Sequence, residues 1–446
     1  MGINWLITLG LFFVCMVALP QVVFTAPCRI GSIDDWSPPS MTTIELDIGE
    51  PLFLRAGDFN EDGQPDLLVA AEKSSEGHYQ YRVFLLPGIG EGKFGEPLQV
   101  GQGPVLDDDG RYGSGTAVVT DLDRDEHLDL IAFFESAKGS STAFLEPSTI
   151  ANQFLILWGN GDGTFQSQWL EVHQRLAPPN IVVGDFDGDG NLDIAYADWQ
   201  RLAINIVYNK RGRILGEVHP VEINEENAPH IAVPMVLAAA DLNHDGKSDL
   251  VVGGACIFSD NGSKKQYRGF IEAILSCGTG CFHPWSRYVM DVSDRRPSAP
   301  SFLLQDLNND GNADVVFVEP TSSQEIIIDP SVPPPIGHIR MMNGNGDGSF
   351  SKPIDLGLCF ASDGLLSIRG TTSTGLTFIL VSPYYGFKIL HGVPPTIDES
   401  ASLSIEDLTD EVVVDIDNDG WVEIVAATDD WENKATRIVI VGRHTK

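Results

Sequence analysis

The sequence predicts an all-β fold, a seven-bladed β-propeller with four-stranded blades, preceded by an apolar N-terminal segment. Three features predict it. An acidic nine-residue pattern recurs along the chain. Each copy stands between two apolar runs. Glycine, 45 of 446 residues, concentrates in short turns between such runs. Short apolar runs joined by tight turns read as strands, and their recurrence reads as a repeat architecture.

The first copy of the pattern contains Asp58, Asn60, Asp62, Gly63 and Asp66. The second contains Asp121, Asp123, Asp125 and Asp129, with Glu126 where the other copies have glycine. The third has Asp185, Asp187, Asp189, Gly190 and Asp193, and the fourth has Asp241, Asn243, Asp245, Gly246 and Asp249. The fifth has Asp306, Asn308, Asp310, Gly311 and Asp314, and the last has Asp415, Asp417, Asp419, Gly420 and Glu423. Successive copies start 63, 64, 56, 65 and 109 residues apart. The last interval is close to twice the others, which puts one unit without the pattern inside it. There Leu365–Ile368 and Leu376–Val381 read as strands, joined by a turn over residues 369–375 that has no acids. The count is then seven units, six of them with an acidic loop.

The third unit illustrates the strands. Ile181–Val183 precedes the loop, Ile194–Ala197 follows it, and Ala203–Tyr208 and Gly216–Val221 complete the set. Four short strands in roughly 60 residues make a propeller blade, and blades cover one another's apolar faces around a ring. The last unit supplies three strands, near Val412–Val414, Val422–Ala427 and Arg437–Val441. Thr42–Ile48, ahead of the first unit, is expected to supply its fourth and so remove the open sheet edges. The chain therefore divides into a signal peptide or signal-anchor over residues 1–26, a linker over 27–41 and the propeller over 42–446.

The loops have the donor pattern of calcium sites. Calcium takes six to eight hard oxygens in flexible geometry. Side chains at loop positions 1, 3 and 5 converge when the loop curls, and glycine at position 6 permits the sharp turn. Position 7, occupied by Gln64, His127, Asn191, Lys247, Asn312 and Trp421, offers its backbone carbonyl, and the acid at position 9 offers two oxygens. An EF-hand would need glutamate at position 12 and a following helix. Position 12 is Val69, Ala132, Tyr196, Val252, Phe317 and Ala426, each inside a β-like run. Four acids held together without a cation repel one another, so up to six calcium ions are expected, with a structural role.

These residues resemble the FG-GAP/VCBS repeat family, the propeller type of integrin alpha subunits and of a group of calcium-containing propeller lectins. A second signature agrees: the glycine-rich stretches Leu157–Phe165 and Met342–Phe350, with Leu86–Phe94 as a looser copy. The resemblance covers about residues 42–446 and implies that the loop acids are calcium ligands. The chain departs from integrin alpha subunits in lacking leg domains and a C-terminal membrane span, which speaks against an integrin-like heterodimer.

The net charge of −35 opposes nucleic acid as a partner, because phosphate binding needs a basic surface. Trp5–Phe24 is almost wholly apolar and reads as a secretory signal or an uncleaved anchor, so the chain is expected to be secreted or membrane-anchored. Cys277 and Cys281 can close a small disulfide loop, either can bridge to Cys256, or the thiols can remain free. No zinc-protease, nucleophile-elbow or phosphate-loop motif is present. The expectation is a non-enzymatic binding or adhesion module for a glycan or extracellular protein. The long connections around Glu135–Gln153, Glu319–His338, Gly101–Gly115 and Glu222–Pro234, on the face opposite the metal loops, are the expected binding region. The alternative is a carbohydrate-active enzyme, a polysaccharide lyase or hydrolase, on the same scaffold.

Overall fold

The computed structural model describes residues 40–442, apart from 76–77, 108–114, 135–151, 173–180, 199–200, 224–229, 260–264, 295–301, 321–335, 361–363, 369–376, 383–385, 392–395, 398–407, 419–422 and 431–433. The N-terminal signal or anchor segment lies outside the described residues, as do Asp419, Gly420, Trp421 and residues 108–114, 135–151, 224–229 and 321–335 of the long connections.

The described residues are strands and turns. Blade one consists of β2 (Glu50–Gly57), β3 (Asp66–Ser75), β4 (His78–Leu86) and β5 (Leu98–Asp107), hydrogen-bonded in that order. β6 (Gly115–Thr120), β7 (Asp129–Phe134), β8 (Asn152–Gly159) and β9 (Phe165–Val172) form the next blade. β10 (Ile181–Gly184), β11 (Asp193–Asp198), β12 (Ala203–Lys210) and β13 (Ile214–Glu222) form the third. β14 (His230–Ala240), β15 (Asp249–Ser259), β16 (Lys265–Gly278) and β17 (Cys281–Asp294) form the fourth, and β18 (Phe302–Gln305), β19 (Asp314–Pro320), β20 (Ile336–Met342) and β21 (Ile354–Phe360) the fifth. All pairings are antiparallel, so each blade is a meander.

The last blade closes the ring. β26 (Leu408–Val414), β27 (Glu423–Asp430) and β28 (Ala435–Gly442) take β1 (Ser40–Leu46) as their outermost strand, with Ser40 opposite Gly442 and Leu46 opposite Thr436. The closing strand anticipated at Thr42–Ile48 is thus found, displaced by two residues.

Six blades, against the seven expected, have described side-chain packing. The remaining strands, β22 (Gly364–Ile368), β23 (Thr377–Ser382), β24 (Gly386–His391) and β25 (Thr396–Ile397), pair in the same order, and β22 lies against β18. Their side chains fall outside the described residues, and so does the acid-free turn between β22 and β23. The sequence of this stretch carries no acidic loop, unlike that of the other six.

The core lies between blades. Leu52, Phe53, Leu68 and Tyr81 of blade one pack on Ala117, Leu130 and Phe134 of blade two, where the Tyr81 and Phe134 rings stack with centroids 4.9 Å apart. Equivalent clusters join blades two and three, three and four, four and five, and last and first. A strand covered on both faces cannot alternate apolar with polar residues. Accordingly β7, β11 and β27 are buried at every position, whereas the outer strand β13 is largely exposed.

Candidate metal centres and their surroundings

Each acidic loop connects the first two strands of its blade. Loop position 1 organises the turn: Asp58 accepts the Asp62 and Gly63 N–H groups at 3.1 and 2.9 Å, and Asp121, Asp241 and Asp306 accept the matching pair in their own loops. Position 5 accepts the position 7 N–H, as from Asn191 to Asp189 at 2.8 Å. These are side-chain-to-backbone turns of the kind aspartate and asparagine favour. Position 6 is left-handed in the five loops where it is described, with φ from 75° to 90°. Four of these residues are glycine; the fifth is Glu126.

The carboxylate at position 9 has a role that spacing did not reveal. Asp66, Asp129, Asp193, Asp249 and Asp314 are fully buried. In each, one oxygen accepts the N–H of position 2, from Phe59, Leu122, Phe186, Leu242 and Leu307 at 2.8–3.0 Å. The other oxygen accepts an N–H at or just beyond the end of the third strand, from Gly88, Gly159, Asn209, Ser276 and Gly344 at 2.7–3.0 Å. One acid thus ties the loop to the end of the third strand of its own blade. Burial pushes the carboxyls of Asp129 and Asp193 up to about 7 and that of Asp249 up to about 6, against the lowering effect of the two N–H groups.

Position 2 points the other way. Phe59, Leu122, Phe186 and Leu242 are buried in the clusters shared with the following blade. Their backbone carbonyls accept hydrogen bonds from that blade, from Gly163 N, Asn209 Nδ2, Ser276 Oγ and Gly348 N respectively. Gly163 and Gly348 belong to the glycine-rich turns singled out in the sequence, so those turns and the acidic loops do share one face. The turns are alike, with Asn160 N donating to Thr164 O, Asn345 N to Ser349 O and Ile89 N to Lys93 O.

Three loops gather carboxylate oxygens within 4.8 Å of one another: Asp121 with Asp123 and Asp129, Asp185 with Asp187 and Asp193, and Asp415 with Asp417 and Glu423. The loops with Asn60, Asn243 and Asn308 put an amide oxygen at position 3, and each of these accepts the position 5 N–H at 2.8–3.0 Å. Asp123 Oδ1 is buried with no hydrogen-bond partner. A set of hard oxygens with such an orphan fits a divalent cation. Cys277, Cys281 and His283 also approach one another, but the two sulfurs form a disulfide; Cys256 is a buried free thiol.

Residues 54–132 and 148–196 match the family model of an FG-GAP-like repeat. Those residues are FG-GAP-like repeats, the repeat type that the sequence resembles. No curated protein matches it. Among solved structures, this chain is similar to the NanB sialidase of Streptococcus pneumoniae, with 12% identity over 94% of this chain and 71% of that one and a TM-score of 0.39. It is also similar to BamB of Moraxella catarrhalis, with 12% identity over 90% of this chain and 99% of that one and a TM-score of 0.37.

A cleft of about 550 Å³ opens between the fourth and fifth blades, lined by Arg287, Tyr288, Arg340, Phe350 and Lys352 among others. Behind the lining, Arg287 pairs with Glu272 at 2.6 Å and Arg340 with Glu319 at 2.9 Å.

Proposed function

We propose that this FG-GAP propeller is a calcium-stabilised binding or adhesion module, secreted or held at a membrane by its N-terminal segment. It recognises a glycan or an extracellular protein through the face opposite the acidic loops. In this reading β22–β25 is the seventh blade, the one without a metal loop, and up to six calcium ions brace the others. The observation that carries the reading is the use of the loops. Their acids bond to their own turn and their own blade, and position 2 anchors the next blade. An ion held there steadies the ring and does not need to touch a ligand.

The opposite face supports the rest of the reading. Residues 135–151 join β7 to β8 and residues 321–335 join β19 to β20, and both connections leave the blade at the end away from the acidic loops. Long connections on a rigid scaffold are where recognition concentrates. The cleft between the fourth and fifth blades favours a binder over a glycoside hydrolase. Glycoside hydrolysis ordinarily uses two carboxylates flanking the scissile bond, whereas the lining of this cleft is basic, aromatic, serine and apolar (Ile271, Met342 and Pro353) with no carboxylate, and the neighbouring Glu272, Glu319 and Asp355 are each paired with Arg287 or Arg340.

The test is a broad glycan array probed with the chain from residue 27, with calcium and with chelator, alongside a variant whose 135–151 and 321–335 connections are replaced by short turns. The expected outcome is calcium-dependent binding that the folded loop variant loses. Binding retained by that variant but lost in Tyr288→Ala would move recognition to the cleft. Release of sugar from a panel of polysaccharides would overturn the non-enzymatic reading.

A further inference from the structure

The second and third acidic loops carry the same four aspartates at the same positions, yet the following blade treats them differently. The turn between β12 and β13 presents Arg213 to the second loop. Its Nε binds Asp123 Oδ2, and its Nη2 binds Asp125 Oδ2 at 2.9 Å. The guanidinium also lies over the Trp158 ring, 5.3 Å from its centroid, so it is held from two sides. Arg213 occupies a left-handed backbone conformation, φ 65°, directly after Gly212 at φ 89°. The equivalent turn of the fourth blade, between β16 and β17, is closed by the Cys277–Cys281 disulfide and presents Thr279 to the third loop. There Thr279 Oγ1 donates to Asp187 Oδ2 at 3.0 Å. The same carboxylate oxygen at position 3 is thus met by a cation in one loop and by a neutral hydroxyl in the other.

The second loop is more than a run of acids. The Asp123 side chain is 7% exposed, its Oδ1 has no hydrogen-bond partner, and oxygens of Asp121, Asp123 and Asp129 lie within 4.8 Å of one another. Arg213 holds the outer oxygens and leaves the inner one of Asp123 free. Its charge cancels part of the repulsion that a cation would otherwise have to relieve, and it repels any cation that enters.

Resting on the calcium reading above, we infer that Arg213 is a built-in counter-ion from the neighbouring blade. It makes the second loop self-supporting without metal and the weaker of the two four-aspartate sites. The third loop, with Thr279 in that place, depends on its ion. At these two interfaces, the turn between the third and fourth strands of one blade thereby sets the metal demand of the loop in the blade before it.

The test is a charge exchange between the two turns, read by calcium titration calorimetry and by thermal unfolding in calcium and in chelator. Arg213→Gln keeps a side chain that can lie on Trp158 and bond to Asp123 but loses the charge. It is expected to tighten one calcium site by about tenfold or more, the effect of one unit charge a few ångströms away in a partly screened site. It should also widen the gap in unfolding temperature between calcium and chelator. Asp123→Ala in the same background identifies the site by abolishing it. Thr279→Arg is expected to weaken a different site by a similar factor, the one that Asp187→Ala abolishes, and to narrow the gap. Unchanged or weaker binding in Arg213→Gln, with Thr279→Arg also without effect, overturns the inference. A wild-type chain that binds no calcium at all would instead overturn the calcium reading itself.

Discussion

Glu126 stands where the other described loops have glycine, at φ 75°. The left-handed region costs a residue with a Cβ about 1 kcal/mol relative to glycine. The second loop tolerates that cost because Asp121 still accepts the Asp125 and Glu126 N–H groups and Arg213 fixes Asp123 and Asp125. Glu126→Gly is therefore expected to stabilise the protein by about 0.5–1 kcal/mol, measured from the midpoint of urea unfolding. No gain, or a loss, would mean that the Glu126 side chain makes a contact worth as much as the backbone strain. Gly63 and Gly246 have open space where a Cβ would go, so their positive φ alone calls for glycine.

At the scale of the strand pair, the position 9 carboxylates govern response to pH. Each joins two strand connections through buried N–H acceptance, and burial holds Asp129 and Asp193 at about 7 and Asp249 at about 6, above the ordinary 3.8. A group that binds its proton more tightly in the folded chain stabilises the fold below its ordinary value and withdraws that contribution as pH rises through the folded value. In chelator, stability is expected to fall between about pH 4 and pH 7. Calcium should reduce the fall, since an ion favours the charged carboxylate. Urea midpoints across that range, with and without calcium, check this; a chelator profile that rises toward pH 7 would contradict it.

At the scale of the ring, one buried arginine joins three blades. Arg55 on β2 binds Asp410 on β26 at 2.6 Å and donates through Nε to the Ala117 carbonyl on β6 at 2.7 Å. Asp410 also accepts the Leu54 N–H at 2.8 Å, which ties first and last blades side by side. Glu411 beside it is buried and its carboxyl is raised, first by that burial and then by the Asp410 charge. Removing one partner of a buried ion pair costs about 3–5 kcal/mol because the other charge is left stranded. Arg55→Met is expected to lower stability by about that amount. It should also loosen β1 and β28 ahead of the middle blades, seen as early amide exchange at residues 40–46. Uniform loss of protection around the ring would show that closure is not the weak point.

The sequence by itself determined the repeat, the strand order within a blade, the closing strand and the positions of the loop acids. Each of these is a short-range pattern repeated along one chain, and tight turns force neighbouring strands to pair. Only the tertiary structure decided what the position 9 acid and Arg213 do. The second partner of the acid lies 22 residues away for Asp66, 30 for Asp129, 16 for Asp193 and 27 for Asp249, so no fixed spacing announces it. Arg213 is 90 residues from Asp123 and reaches it only because blades stand side by side. Contacts across a blade interface depend on how faces stack in space, and that order is absent from any window of sequence short enough to read.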